Sequence, residues 1–171
     1  MKFSPVPRYV FRKITDITPV FLERLGVKFL MLDLDNTIVS YSKHIPPPGV
    51  LPWAENMRLS GIDLYIVSNS KRHGRVEKFA EAFHIGFIRH ASKPSPKALF
   101  RAMKHSGYSA GESALAGDQV YTDVLAANRA GVVSIAVRPV SRFNPFLAIR
   151  YALEVPFRAA CKNKMIRSIY G

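Results

Sequence analysis

Apolar residues fall along this chain in short blocks separated by polar loops, not in one long amphipathic repeat. Val27 to Leu32 is almost wholly apolar, follows Gly26 and runs into polar residues, the pattern of a strand buried on both faces of a parallel sheet. Ile62 to Val67, Ala114 to Ala116 and Val132 to Val137 repeat it, and Ile85 to Ile88 is a fainter fifth example. Helix-like stretches lie between them, roughly Leu51 to Leu59, Arg75 to Phe83, Pro96 to His105 and Thr122 to Ala130. Gly131 stands where a left-handed C-terminal cap belongs, and Pro94 and Pro96 suit the opening of the helix before. This alternation predicts right-handed βαβ crossovers and a three-layer α/β fold, a parallel five-stranded sheet with helices on both faces. The main domain is expected over 27–140, with a lead-in over 1–26 and a helical tail over 141–171.

The chain has 171 residues, the size of one ordinary domain, with 48% hydrophobic and 22% charged residues, which places it far from the disordered regime. Charge changes the picture more. Lys and Arg number 25 against 12 Asp and Glu, so the surface should attract polyanions: nucleic acid, an anionic membrane surface or a phosphorylated substrate. The single cysteine, Cys161, excludes an intramolecular disulfide and a thiolate zinc cluster within one chain. Pro5, Pro7, Arg8, Arg12 and Lys13 break up the N-terminus before any signal-length apolar stretch, and no uncharged run approaches the roughly 20 residues that span a bilayer. These features predict a cytoplasmic protein, with peripheral attachment to the inner face of a membrane as the variant its charge allows.

The ends of the apolar strands carry the chemistry. Asp33-Leu34-Asp35-Asn36-Thr37 follows the first, Ser68-Asn69-Ser70 the second and Gly117-Asp118-Gln119 the fourth, with Asp123 just beyond and Lys93 in the loop after the faint strand. In parallel sheets ligands bind beyond the carboxyl ends of the strands, so these groups should share one rim. Carboxylates, a hydroxyl and a lysine suit phosphoryl transfer, where positioning and charge stabilisation dominate. A carboxylate attacking an anionic phosphate meets repulsion, which a hard cation on carboxylate oxygens removes; magnesium fits such an oxygen-only set. Asp33, the main-chain carbonyl of Asp35 and Asp118 are the candidate ligands. Asp33 and Asp35 lie two apart, so one can attack while the other exchanges protons with the leaving oxygen.

At these residues the sequence resembles the haloacid dehalogenase (HAD) phosphatase superfamily, whose signature reads here as MLDLDNTIV, YIVSNS, ASKPSPKAL and AGDQVYTDV. The resemblance implies a Rossmann-like domain, magnesium, Asp33 as nucleophile and metal ligand, Asp35 as acid/base and carbonyl ligand, and Asp118 as metal ligand. It also implies Ser68 and Lys93 as phosphate binders, joined by Asn36 and Asn69, with Asp123 and Thr37 in support. Lys97 is the rival for the lysine position, but the Lys93-Pro94 pair fits the pattern better. The DLDNT loop, Gly117-Asp118-Gln119 followed by Thr122 and Asp123, and the Asp16 to Pro19 stretch narrow the resemblance to subclass IIIA members of YqeG type, which include phosphatidylglycerophosphate phosphatases.

Only 32 residues separate Asp35 from Ser68 and 24 separate Ser68 from Lys93, so no cap domain is expected. An uncapped site suits a substrate whose bulk stays outside: a phospholipid head group by preference, otherwise a nucleic-acid end, a sugar phosphate or a phosphoprotein. A different class of function is an RNA- or ribosome-binding protein on the same scaffold with vestigial catalysis. Ser40 to Gly49, with Lys43, His44 and three prolines, is expected to form a stiff flap, with Lys43 a candidate for substrate phosphate. From Arg138 onward seven Lys or Arg accompany the single acid Glu154 among many apolar residues. That reads either as an interfacial basic helix or pair of helices, interrupted at Pro156, or as a helix packed on the domain.

Overall fold

The strands form because their residues can be buried on both faces, and β2 is an example. In the computed structural model, which describes residues 4–141 and 145–161, all four side chains of β2 (Phe29–Leu32) are buried. They alternate in direction: Leu30 and Leu32 join one core layer, Phe29 and Met31 the other. Around it the chain runs β1 (Tyr9–Phe11), α1 (Pro19–Arg24), β2, α2 (Val50–Leu59), β3 (Asp63–Val67), α3 (Arg75–Phe83), β4 (Gly86–Ile88), α4 (Lys97–Ser106), β5 (Ser113–Gly117), α5 (Leu125–Ala130), β6 (Val133–Val137) and α6 (Pro145–Ala159). A π-helical turn, Val120–Val124, leads into α5.

The strands make one parallel sheet in the order β1-β6-β5-β2-β3-β4. Side chains of α1, α2 and α3, including Phe21, Trp53, Met57 and Phe79, fill the layer on one face. Leu99, Ala102, Ala126 and Ala127 from α4 and α5 fill the other, giving the expected three layers. The chain builds outward from β2 through β3 to β4, then crosses back to place β5 and β6 on the other side of β2. The gap between β2 and β5 is therefore the switch point, where a crevice opens beyond the carboxyl ends of the strands. Register fixes its walls: Leu32 pairs with Ala116, so Asp33 and Gly117 leave the sheet at the same level.

The sheet has six strands where the sequence pattern predicts five. The additional one is β1, which pairs with β6 through Tyr9 opposite Ile135 and Phe11 opposite Val137. Tyr9 and Phe11 both pack edge-on against Phe21, and Trp53 donates its indole N–H to the Ile17 carbonyl at 2.7 Å, so the residues before 26 contribute core. Between Asp35 and Ser68 lie only loop, α2 and β3, and between Ser68 and Lys93 only α3 and β4; no cap domain is present among the described residues.

The C-terminal segment forms a single helix through Pro156, not one interrupted there. A proline removes one helical N–H, and here it falls in the last turn, where the Ala160 amide still closes on the Pro156 carbonyl at 2.9 Å. The basic positions Lys162, Lys164 and Arg167 lie outside the described residues.

Candidate active site

Asp33 is the first residue beyond β2, and its amide still continues the ladder to the Ala116 carbonyl at 2.9 Å. Its side chain is buried and shared by two partners. Lys93 Nζ donates to Oδ1 at 2.7 Å, and the Thr37 hydroxyl lies 3.3 Å from Oδ2. Lys93 is itself buried, with Asp123 Oδ1 at 2.7 Å and the Val67 carbonyl at 2.6 Å completing its shell. Lys97, the rival lysine, is exposed at the start of α4. The structure thus brings Lys93, and not Lys97, to Asp33.

Thr37 joins the loop after β2 to the loop after β5. Its hydroxyl oxygen accepts the Asp118 amide at 3.0 Å, and its one proton can go to Asp33 or to Asp118 Oδ1, 3.4 Å away. Asp123 is held by the Gln119 amide at 3.0 Å. Gly117 makes that approach possible: a Cβ there would sit 2.3 Å from the Asp123 carboxyl carbon. Ligand oxygens of Asp33, Asp118 and Asp123 all lie within 4.8 Å of one another.

Three buried carboxylates lie together, and two of them, Asp33 and Asp123, meet the Lys93 ammonium. Burial pushes the Asp33 carboxyl up to about 6, with Asp123 and Asp35 adding to the rise and Lys93 opposing it. Burial, then the charges of Asp33 and Asp123, holds Asp118 well above the usual carboxylate range. Burial works against the charged form of Lys93, but Asp123 and Asp33 outweigh it and keep the lysine protonated well beyond its usual range. With all three acids ionised the cluster holds an excess of two negative charges. An oxygen-only set with that excess fits a hard divalent cation, held by Asp33 and Asp118 with Asp123 behind.

Asp35 stands apart from this cluster. Its Oδ1 receives the Arg75 Nε–H at 2.8 Å, and Arg75 also donates to the carbonyls of Lys43 at 2.7 Å and Ser40 at 3.0 Å. Arg75 therefore ties the second aspartate to the flap. Sequence reading passes over it, although a buried cation in the first turn of a helix runs against the helix dipole and so signals a compensating acid.

Asp33, Asp35, Asn36, Ser68 and Asn69 line a cavity of about 450 Å³, together with Tyr41, Ser70, Lys71, Gln119 and Arg150. The Ser68 hydroxyl oxygen accepts the Ser70 amide at 3.1 Å, while the buried Ser70 hydroxyl has no hydrogen-bond partner among the described residues. Asn69 gives both ends of its carboxamide to the main chain of Lys93, at 3.0 and 2.9 Å, so its side chain positions that lysine's loop. Asn36 is in the left-handed region, φ 63°, where asparagine is tolerated, and its side-chain oxygen accepts the Tyr41 amide at 3.2 Å. Lys43 and His44 are exposed and line no part of this cavity; Tyr41 is the flap residue that does.

Arg150 comes from α6, whose inner side holds a second set of buried charges. Arg158 donates to the Val137 carbonyl at 2.9 Å, to the Asp118 carbonyl and to Glu154 Oε2 at 3.2 Å. Burial pushes the Glu154 carboxyl up, opposed by the Val120 amide and Arg158. The helix thereby braces the loop that carries Asp118. Glu154 and Arg158 stand four apart in the sequence, a spacing that pairs acid and base on one helix face.

Across 161 residues, covering 93% of this chain and 92% of the relative, the sequence is 37% identical to the Probable phosphatase YqeG of Bacillus subtilis (strain 168). The chain belongs to the HAD-like phosphatases of that family. Residues 90–139 of this phosphatase also match the HAD-hydrolase-like family model. It is 31% identical over 136 residues to the Phosphatidylglycerophosphate phosphatase 1, chloroplastic/mitochondrial, of Arabidopsis thaliana, a match covering 74% of this chain and 39% of that longer protein. Among solved structures, an uncharacterised Listeria monocytogenes protein shares the fold with a TM-score of 0.56 at 15% identity, covering 77% of this chain and 98% of the other. The cobalt-bound deoxy-D-mannose-octulosonate 8-phosphate phosphatase of Haemophilus influenzae does so with a TM-score of 0.50 at 13% identity, covering 80% and 92%. No helix of the HAD-like phosphatase, among the described residues, is long and apolar enough to cross a membrane.

Proposed function

We propose that the chain is a magnesium-dependent phosphomonoesterase that works through an aspartyl phosphate on Asp33 and takes a glycerophosphate-type phospholipid head group. The observation that carries the chemistry is the buried cluster of Asp33, Asp118 and Asp123 at the switch point of the sheet, with Lys93 paired to Asp33 and Asp123. Magnesium held by Asp33, Asp118 and the Asp35 carbonyl would offset the repulsion between the attacking carboxylate and the phosphate.

Lys93 fixes the Asp33 carboxylate and offers charge to the equatorial phosphoryl oxygens, and Ser68 donates a hydroxyl proton to one of them. Asn36 and Asn69, committed to Tyr41 and Lys93, shape that pocket. Asp33 attacks phosphorus; Asp35 protonates the departing alkoxide and then takes a proton from the water that hydrolyses the acyl phosphate. Asp123 and Thr37 hold Lys93 and the Asp118 loop in place.

The lipid reading draws support from the relative that acts as a phosphatidylglycerophosphate phosphatase and from the open, uncapped cavity. Phosphate release with magnesium tests it, with phosphatidylglycerophosphate in mixed micelles beside a nucleotide, a sugar phosphate and a 3′-phosphorylated oligonucleotide, and Asp33→Asn as blank. Preference for the lipid, lost in the variant, is the expected result. Release only from another substrate overturns the lipid reading and keeps the chemistry.

A further inference from the structure

Helix α6 is built inside out. Its inner side carries Glu154 and Arg158, 1% and 8% exposed, with Arg150 and Tyr151 half-buried beside them. Its outer side presents Ile149, Leu153 and Val155, which are 64%, 62% and 46% exposed, with exposed Ala152, Pro156 and Ala159 between them. No charged side chain occupies that outer face among the described residues. Scattered apolar residues on a surface need no explanation, but a whole helix face without charge, backed by buried ions, marks something that covers it.

We infer that this face lies on an anionic lipid surface, with the apolar side chains in the head-group boundary and the mouth of the active-site cavity turned toward the bilayer. Charge complementarity favours that occupant. The chain carries a formal charge of +13, Arg150 and Lys71 line the cavity, and the sequence after the helix continues with Lys162, Lys164 and Arg167 and no acid. A second copy fits poorly. Two chains of +13 repel, and a single helix face about 22 Å long offers far less than the roughly 800 Å² per partner of a stable interface.

The placement gives the docking a consequence. Ile149 and Arg150 are adjacent on α6, so the residue that meets the bilayer and the cation that lines the cavity move as one body. An anionic head group reaches the cavity past Arg150 without leaving the interface. This inference deepens the lipid-phosphatase reading and rests on it for the substrate, while the docking itself is read without turnover.

Flotation of the full chain with vesicles of phosphatidylcholine alone, or of phosphatidylcholine mixed with phosphatidylglycerol, tests it. Wild type is expected to float with the anionic vesicles, and Ile149→Glu with Leu153→Glu to reduce that binding about tenfold or more. Hydrolysis of soluble p-nitrophenyl phosphate should be the same in both, because neither residue touches the cavity. A Leu153→Trp variant provides a second reading, with a blue shift of its emission expected on adding anionic vesicles. Undiminished flotation of the double variant, or no shift from Leu153→Trp, overturns the inference; so does a wild type that ignores vesicles and sediments as a dimer that the double variant dissociates. Vesicle binding without phosphate release from lipid would sustain the docking and defeat the substrate reading.

Discussion

Two sets of buried charge sit side by side at the carboxyl end of this sheet, and they are balanced differently. Glu154 and Arg158 neutralise each other, and the two terminal nitrogens of the guanidinium also reach the main-chain carbonyls of Val137 and Asp118. Asp33, Asp118 and Asp123 set three carboxylates against the one buried ammonium of Lys93, and burial, with their mutual repulsion, pushes the carboxyls of Asp33 and Asp118 up. The closed set is an anchor. The open set invites a cation and a phosphate, and its cost is carried by the rest of the fold.

The sharpest way to break that contrast is Asp33→Asn. Phosphate release should fall by at least ~10⁴-fold, as for loss of a nucleophile, while the metal-free protein should become more stable at pH 7.5. Titration fixes the direction. Asp33 titrates at about 6 in the fold against 3.8 ordinarily, so its contribution is most favourable below about pH 4 and is lost as pH rises through about 6. The stability gap between Asp33→Asn and wild type, read from thermal unfolding without metal, should therefore be widest near pH 7.5 and close by pH 4. Magnesium should narrow it at the higher pH.

In the closed set, Arg158→Ala should destabilise by about 3–5 kcal/mol in denaturant unfolding, because it strands a buried carboxylate. Adding Glu154→Leu should recover part of that loss, since the two carbonyls still lack their donor. Gly117→Ala tests the join between the sets. Its Cβ would meet Asp123 at 2.3 Å, so Asp123 must shift and Lys93 with it, and kcat should fall about 10²-fold with little change in KM. The smallest effect belongs to Ser70→Ala. If its unpartnered hydroxyl meets substrate phosphate, KM should rise by up to about tenfold, measured on soluble substrate.

The placement of the candidate site residues is legible in the sequence because each follows an apolar strand, and parallel strands end together on one rim. Asp33, Ser68, Lys93 and Asp118 all stand there. Strand β1 carries no sequence signal for a physical reason: Tyr9 to Phe11 is too short to show a period, and prolines and cations flank it. Arg75 was hidden because its partners, Asp35 and the Ser40 and Lys43 carbonyls, lie more than thirty residues away. The direction of α6 was hidden more deeply. Arg150, Glu154 and Arg158 define one face in any helix, but only tertiary packing decides that this charged face turns inward.

The central claim is that Asp33 carries the phosphoryl group during turnover. Quenching the enzyme during hydrolysis, reducing any acyl phosphate with borohydride and sequencing the peptide by mass spectrometry tests that most directly. The account predicts homoserine at position 33 in the wild type with substrate and magnesium, and none without substrate. Full turnover with no modification there, or phosphate release retained in Asp33→Asn, would contradict it.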